Sequence, residues 1–239
     1  MIDIIDNKTI YPVKNKHYFP TGIDAIDGFL NGGGLWLNEG VFLCGRPGIG
    51  KTAVAAQIAV NIAKANVPVM YIDLEHNPPT TAFFMNEAKK DENDLDSLNL
   101  HFVVPETITS LAESINDESE RVVIIDYLQL IDLEGIETWD GVIDRLPGGR
   151  AYLFVSQITR RVESTESHTP NPQDVRLPGF TPRPSDTFIM LHRDSYYETV
   201  PATDMEVFAY RDNDLRGHGR FLWTPVPFVG PFMQTFKED

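Results

Sequence analysis

GRPGIGKT, residues Gly45–Thr52, fits the pattern G-x-x-x-x-G-K-[ST] in full. The short apolar run before it, GVFLC at Gly40–Cys44, reads as a strand. The segment it opens, KTAVAAQIAVNIAK at Lys51–Lys64, has apolar residues at helical spacing and much alanine. Strand, glycine-rich loop and helix is the context that lets this motif hold phosphate. Glycines at 45, 48 and 50 let the backbone turn and approach phosphate oxygens without a Cβ in the way. Successive N–H groups at a helix N-terminus then form a nest for anions. Residues Gly45, Arg46, Pro47, Gly48, Ile49, Gly50, Lys51, Thr52 and Ala53 are therefore expected to form a nucleotide-binding loop. Lys51 is expected to reach the outer phosphates and Thr52 to ligate Mg²⁺.

Working outward, the strand-and-helix alternation continues. Val67–Leu74, Leu100–Val104, Arg121–Leu130 and Ala151–Ile158 read as buried strands separated by helical segments. Continuous apolar strands of this kind predict a parallel sheet covered on both faces. The pattern then changes. Asp186–Leu191, Met205–Tyr210 and Phe221–Thr224 read as strands with no helices between them, which predicts an antiparallel extension. Thr159–Ser185, rich in Pro, Ser, Thr and Arg, is the longest irregular segment, a length that points to a functional or disordered loop.

Three further positions fall at strand ends, where ligands bind in parallel sheets. Asp126 closes the apolar run of RVVIIDYLQL and suits the holding of Mg²⁺. Glu75 follows the second strand and could activate water as a general base, with Asp73 two residues earlier on the same side of the strand. Gln157, after Ser156, could sense the γ-phosphate, as a glutamine orients water in other nucleotide hydrolases.

The chain of 239 residues has 42% apolar and 23% charged residues, the composition of a globular protein with a sizeable core. No run of about 20 apolar residues exists, so no membrane partner is expected. The N-terminus lacks the basic and apolar regions of a secretory signal. A single cysteine, Cys44, cannot close an internal disulfide, and a cytoplasmic setting is expected. The net charge of −15 argues against a bulk electrostatic nucleic-acid binder. Its distribution is uneven. Residues 1–144 hold 23 acids and 9 bases, whereas residues 145–220 hold 10 of each, every base there being arginine. Any phosphate-contacting surface should therefore use those arginines.

The order of these pieces resembles the RecA-type ATPases, and in particular the C-terminal motor domain of the DnaB-family replicative helicases. TGIDAIDGFLNGGGLWLNEGVFLCGRPGIGKT, VVIIDYLQLI, SQITRRVE, DVRLPGF at Asp174–Phe180 and HRDSYY at His192–Tyr197 carry the resemblance, which covers about residues 20–225. It implies a RecA-like P-loop NTPase core in the α/β class: a mostly parallel sheet flanked by helices, with an antiparallel C-terminal extension. Residues 1–20 are expected to form an arm or linker and 21–239 the ATPase domain.

The resemblance further implies hydrolysis of ATP with Mg²⁺ at subunit interfaces of a ring, usually a hexamer, around single-stranded DNA. Carried over residue by residue, Lys51 and Thr52 fall on phosphate and Mg²⁺ contacts, Glu75 on the base, Asp126 on the metal-holding aspartate and Gln157 on the γ-phosphate sensor. Arg160, Arg161 and Arg176 fall near the DNA-channel loops. The family's trans-acting Lys-x-Arg pair matches AYRDND at Ala209–Asp214, which puts Tyr210 and Asp212 where bases belong, Arg211 between them and Arg216 beyond. Arg211 is thus the expected finger, with Arg216 as the other choice.

The residues support a helicase or translocase motor in replication. They also admit an accessory RecA-type ATPase that loads, regulates or mimics a replicative helicase through a protein partner, or assists recombination. A third reading is a nucleotide-switched module without turnover.

Overall fold

The computed structural model describes residues 18–75, 78–89, 95–115, 121–175, 177, 179–183, 186–197, 204–212 and 214–221. Ten strands and five α-helices are found among them. In chain order they are β1 Tyr18–Phe19, α1 Asp24–Asp27, β2 Leu35–Trp36, β3 Gly40–Gly45, α2 Lys51–Lys64 and β4 Val69–Asp73. Then come α3 Pro78–Lys89, β5 Leu100–Val103, α4 Ile108–Ser114, β6 Val122–Asp126, α5 Trp139–Ile143 and β7 Ala151–Gln157. The last three are β8 Thr187–His192, β9 Met205–Arg211 and β10 Asp214–Phe221.

Eight of the strands form one sheet in the order β10-β9-β8-β3-β7-β6-β4-β5. The six strands from β8 to β5 run parallel, and β9 and β10 add the antiparallel extension. β1 and β2 pair separately, antiparallel. This is the mostly parallel α/β sheet with an antiparallel extension that the alternation predicts, and it has the RecA-like arrangement that the resemblance implies.

The strands are apolar throughout because both faces are covered. Successive side chains point to opposite faces. Val41 and Leu43 of β3 join α1, α2 and α3 in one core. Phe42 and Cys44 join α4, α5 and the segment after β7 in the other. Phe42 lies at the centre of that second core, its ring 5.0 Å from Phe154, 4.9 Å from Phe180 and 5.0 Å from Phe188. Among the described residues no helix is long and apolar enough to cross a membrane.

Two sequence expectations need adjustment, and a third lies mostly outside the described residues. The strand expected over Arg121–Leu130 stops at Asp126, and Leu128–Leu130 forms a single 3-10 turn instead, closed by Leu130 N–H donating to the Tyr127 carbonyl at 3.2 Å. The final strand lies over Asp214–Phe221 rather than starting at Phe221, and 222–224 are outside the described residues. DLRGHGRF carries little apolar signal because β10 is an edge strand with one face in solvent. Its glycines admit the Phe29 ring: a Cβ on Gly217 would lie 2.1 Å from Phe29 Cε1. The arm expected at 1–20 falls mostly outside the described residues, and Tyr18–Phe19 are already in a strand.

Gly34 shows why the glycine run after α1 is needed. A Cβ there would meet the Phe19 carbonyl oxygen at 2.4 Å and Pro20 N at 2.6 Å, both backbone atoms that cannot rotate away. A Cβ on Gly33 would meet nothing within 4 Å, although its φ is +85°. Gly34→Ala should therefore lower stability by about 1–3 kcal/mol through overpacking. Gly33→Ala should cost about 1 kcal/mol from its backbone conformation alone. Urea unfolding of the two variants side by side checks the order.

Candidate nucleotide-binding and catalytic site

The parallel arrangement brings the C-terminal ends of β3, β4, β6 and β7 to one edge of the sheet. Gly45, Asp73, Asp126 and Gln157 close those four strands. The loop after β3 folds as the glycine pattern requires: Gly48 has φ +73° and Gly50, which caps α2, has φ +117°. Ile49 is buried and pins the loop to the core. A Cβ on Gly45 would lie 2.7 Å from Ile49 Cγ2, so the tight turn excludes one. Nothing lies within 4 Å of the Cβ position of Gly48, which leaves the outer side of the loop open for an anion.

Lys51 begins α2 and is 7% exposed. Its Nζ donates to the Arg46 carbonyl at 3.1 Å. Burial pushes its ammonium below the usual lysine range, while Asp126 and Glu75 pull it back up. Asp126 is the counterpart. It is 2% exposed, and Tyr71 Oη donates to its Oδ2 at 2.7 Å. Burial pushes its carboxyl up to about 6, with hydrogen bonds from Tyr71 and Thr52 and the Lys51 charge acting against the rise. Asp126 Oδ1 is buried and has no hydrogen-bond partner among the described residues. A buried carboxylate oxygen left unpaired beside a threonine hydroxyl fits a hydrated divalent cation. Among the described residues no cluster of three His, Cys, Asp or Glu could hold a metal alone. The pair Thr52 and Asp126 therefore suits a cation that arrives with phosphate oxygens.

The two acids at the end of β4, Asp73 and Glu75, take different places. Asp73 is buried, its Oδ1 accepting from Glu75 N–H at 2.9 Å and its Oδ2 from Thr81 Oγ1 at 3.0 Å. Both oxygens are engaged in holding the turn into α3. Glu75 stands at the mouth of the site. Partial desolvation pushes its carboxyl up, Lys51 lowers it and Asp73 raises it further. Gln157 ends β7 half-buried, with its side chain beside the Tyr127 hydroxyl. Gln129 Nε2 donates to Ser156 Oγ at 2.6 Å beside it. Lys51, Thr52, Glu75, Asp126 and Gln157 thus converge, as the strand-end positions predict.

Sequence reasoning missed Tyr71, Tyr127, Gln129 and Arg193. Tyr127 and Gln129 belong to DYLQL, where only Asp126 carried an evident charge. Arg193, from HRDSYY, donates through Nη2 to the Gly48 carbonyl at 3.1 Å. Tyr71 sits in mid-strand, where an aromatic reads as core, and no local signal marks it.

Other expected residues lie elsewhere. The Arg46 side chain turns away from the nest to Ile158 and Glu163. Arg160 is exposed on the 3-10 turn Arg160–Ser164. Arg161 is tied to Asp174 Oδ1 at 2.8 Å and to Asn171 Oδ1 at 3.2 Å. Arg176 is outside the described residues. The structure does not bring Arg211 to the site of its own chain. In register it pairs with Thr187, which aligns with Val41 at the opposite end of β3. That is four residues from Gly45, about 13 Å along a strand. There it forms an ion pair with Glu39 at 3.2 Å. Antiparallel pairing runs the end of β9 away from the phosphate loop, which apolar periodicity could not reveal. Arg216 is exposed on β10.

Residues 19–138, half of the chain, match the family described as ATPase: KaiC. The chain belongs to that ATPase family. The KaiC-family chain is 24% identical over 215 residues to a probable replicative DNA helicase of Trieres chinensis, covering 73% of this chain and 47% of that protein. It is 29% identical over 231 residues to the replicative DNA helicase DnaB of Synechocystis, covering 77% and 26%. A DNA repair protein RadA of Pseudomonas aeruginosa is 30% identical over 142 residues, covering 59% and 30%. The chain thus spans about half the length of these relatives or less.

Two solved structures share the fold at 20% identity. The ATPase domain of G40P has a TM-score of 0.65 and overlaps 84% of this chain and 86% of that one. A DnaB-like replicative helicase, solved in a study of its interactions with primase, has a TM-score of 0.69, with 87% and 61% covered.

The raised Asp126 value sets a pH dependence for this KaiC-family ATPase fold. An unfolded aspartate titrates near about 3.9. The stabilisation from protonated Asp126 is fully present below that value and is lost as pH rises through about 6. Asp126→Asn keeps an acceptor for Tyr71 without the charge. In metal-free buffer it should match the parent at pH 4 and exceed it by about 2–3 kcal/mol at pH 8. Urea unfolding across that range is the measurement.

Proposed function

We propose that this chain is the ATP-hydrolysing motor domain of a DnaB-like helicase or translocase acting on single-stranded DNA. The observation that carries the reading is the convergence of Lys51, Thr52, Glu75, Asp126 and Gln157 at one edge of the parallel sheet. The relatives named as replicative helicases support it.

The backbone N–H groups of the loop and the start of α2 bind the phosphates. Lys51 exchanges its bond to the Arg46 carbonyl for the outer phosphates. Its buried ammonium meets their charge in a medium that screens it weakly. Thr52 and Asp126 would hold Mg²⁺, which would supply positive charge against the charge developing on the phosphates. Glu75 accepts the proton of the attacking water, and the desolvation that raises its carboxyl makes it the stronger base. Gln157, beside Tyr127, orients that water. Arg160, Arg161 and Arg176 contact the DNA backbone. In this reading Arg211 or Arg216 serves a neighbouring subunit of a homo-oligomeric ring such as a hexamer, since neither faces its own site.

A second reading, an accessory ATPase that works on a replication or recombination partner, has two observations in its favour. Arg211 is tied to Glu39, and a DNA repair protein RadA is 30% identical over 142 residues.

ATP turnover with and without oligo(dT), with mass in solution on the same sample, tests the proposal. A ring-sized species with strong DNA stimulation is expected. A monomer with slow turnover indifferent to DNA would favour the accessory reading. Lys51→Ala should lower turnover at least about a hundredfold. Glu75→Gln should lower it by about 10²–10⁴ while keeping nucleotide affinity. Unchanged turnover in Glu75→Gln would remove Glu75 as the base.

A further inference from the structure

The phosphate loop is gripped by a side chain of its own. Arg46 is 7% exposed and points away from the anion nest. Its Nη1 donates to the Ile158 carbonyl at 3.1 Å and its Nη2 to Glu163 Oε1 at 2.5 Å. The carbonyl of the same residue accepts the Lys51 ammonium at 3.1 Å.

Ile158 and Glu163 bracket the exposed Arg160. The segment they belong to is ordered rather than loose. Val162 is buried in the second core, Thr159 N–H donates to the Asp174 carbonyl at 2.7 Å, and Ile158 bridges Val175. Asp174 in turn accepts from Arg161 Nε at 2.8 Å and from Asn171 N–H at 2.9 Å. Direct contacts therefore run from Lys51 through Arg46 and Glu163 to the turn that carries Arg160.

We propose that Glu163, acting through Arg46, is a positioning residue that couples the nucleotide at the phosphate loop to the Arg160 turn. The grip of that turn on an anionic polymer then differs between nucleotide states. The physical basis is the rigid guanidinium fork. Arg46 holds a carbonyl and a carboxylate at fixed geometry, so a reorientation of its own peptide is carried across. That reorientation is prompted when Lys51 leaves the Arg46 carbonyl for phosphate. The proposal rests on the reading of this loop as an ATP site and of Arg160 as a DNA contact.

Glu163 has a side chain 41% exposed, so Glu163→Ala and Glu163→Gln should both fold. The first readout is amide hydrogen exchange of the full chain with Mg-ADP, with a non-hydrolysable Mg-ATP analogue, and without nucleotide. In the parent, the analogue should slow exchange in both 45–53 and 159–165. In Glu163→Ala, protection of 45–53 should persist while that of 159–165 is lost. Protection of 159–165 in the variant equal to the parent overturns the coupling. So does a parent in which 45–53 responds and 159–165 does not. A parent in which neither segment responds overturns the nucleotide reading with it.

The second readout is oligo(dT) affinity by fluorescence anisotropy. The parent should differ by about tenfold between the two nucleotides, and both variants by less than about twofold. A merely structural Glu163 would weaken both states equally and keep the ratio. Absence of oligo(dT) binding by the parent in either state overturns the DNA part alone, because the exchange readout decides the coupling by itself.

Discussion

A buried ammonium and a buried carboxylate share one edge of the sheet, and much of the molecule follows from keeping that pair in place. Taking either charge out of water is costly unless the other is near and further hydrogen bonds complete its shell. Lys51 is held at the first position of a helix whose apolar face is packed against the sheet. Asp126 is held at the end of a strand flanked on both sides by parallel neighbours. Tyr71, from the middle of the next strand, supplies the hydrogen bond that steadies the carboxylate. Among the described residues the second oxygen of Asp126 has no hydrogen-bond partner, an arrangement that would suit a charged ligand.

Around this pair, several acids and arginines that looked alike in the chain serve different ends. Asp73 and Asp174 each use both carboxylate oxygens to fasten a turn. Glu75 keeps its carboxylate at the mouth of the site. Among the arginines, Arg46, Arg161, Arg183, Arg211 and Arg220 are all engaged in ion pairs with acids of the same chain. Four of the ten arginines in residues 145–220 thus serve as internal bracing. The surface of that segment offers less free positive charge than its composition suggests, in keeping with a total charge of −15.

The loop after β7 gains its importance from the same bracing. Its composition reads as irregular, and its described residues contain no long helix or strand. Yet Val162 and Leu177 plug into the second core, and Asp174 closes the segment back on Thr159. An ordered loop between the phosphate loop and an exposed arginine can pass on a change of position, whereas a disordered one would absorb it.

The sequence by itself determined the alternation of strands and helices, the phosphate loop and the strand-end residues Glu75, Asp126 and Gln157. Each rests on a local rule: apolar runs for doubly covered strands, glycines for positive φ, and a fixed place of the ligand edge in parallel sheets. Only the tertiary structure decided which of Asp73 and Glu75 is engaged as scaffold and that Tyr71, Tyr127 and Arg193 belong to the site. It also decided that Arg46 faces Glu163 instead of phosphate, and that Arg211 sits at the far end of the sheet. Those outcomes depend on which strands become neighbours and in which direction they run. Contacts such as Arg46 to Glu163, separated by 117 residues, leave no periodic trace in the chain.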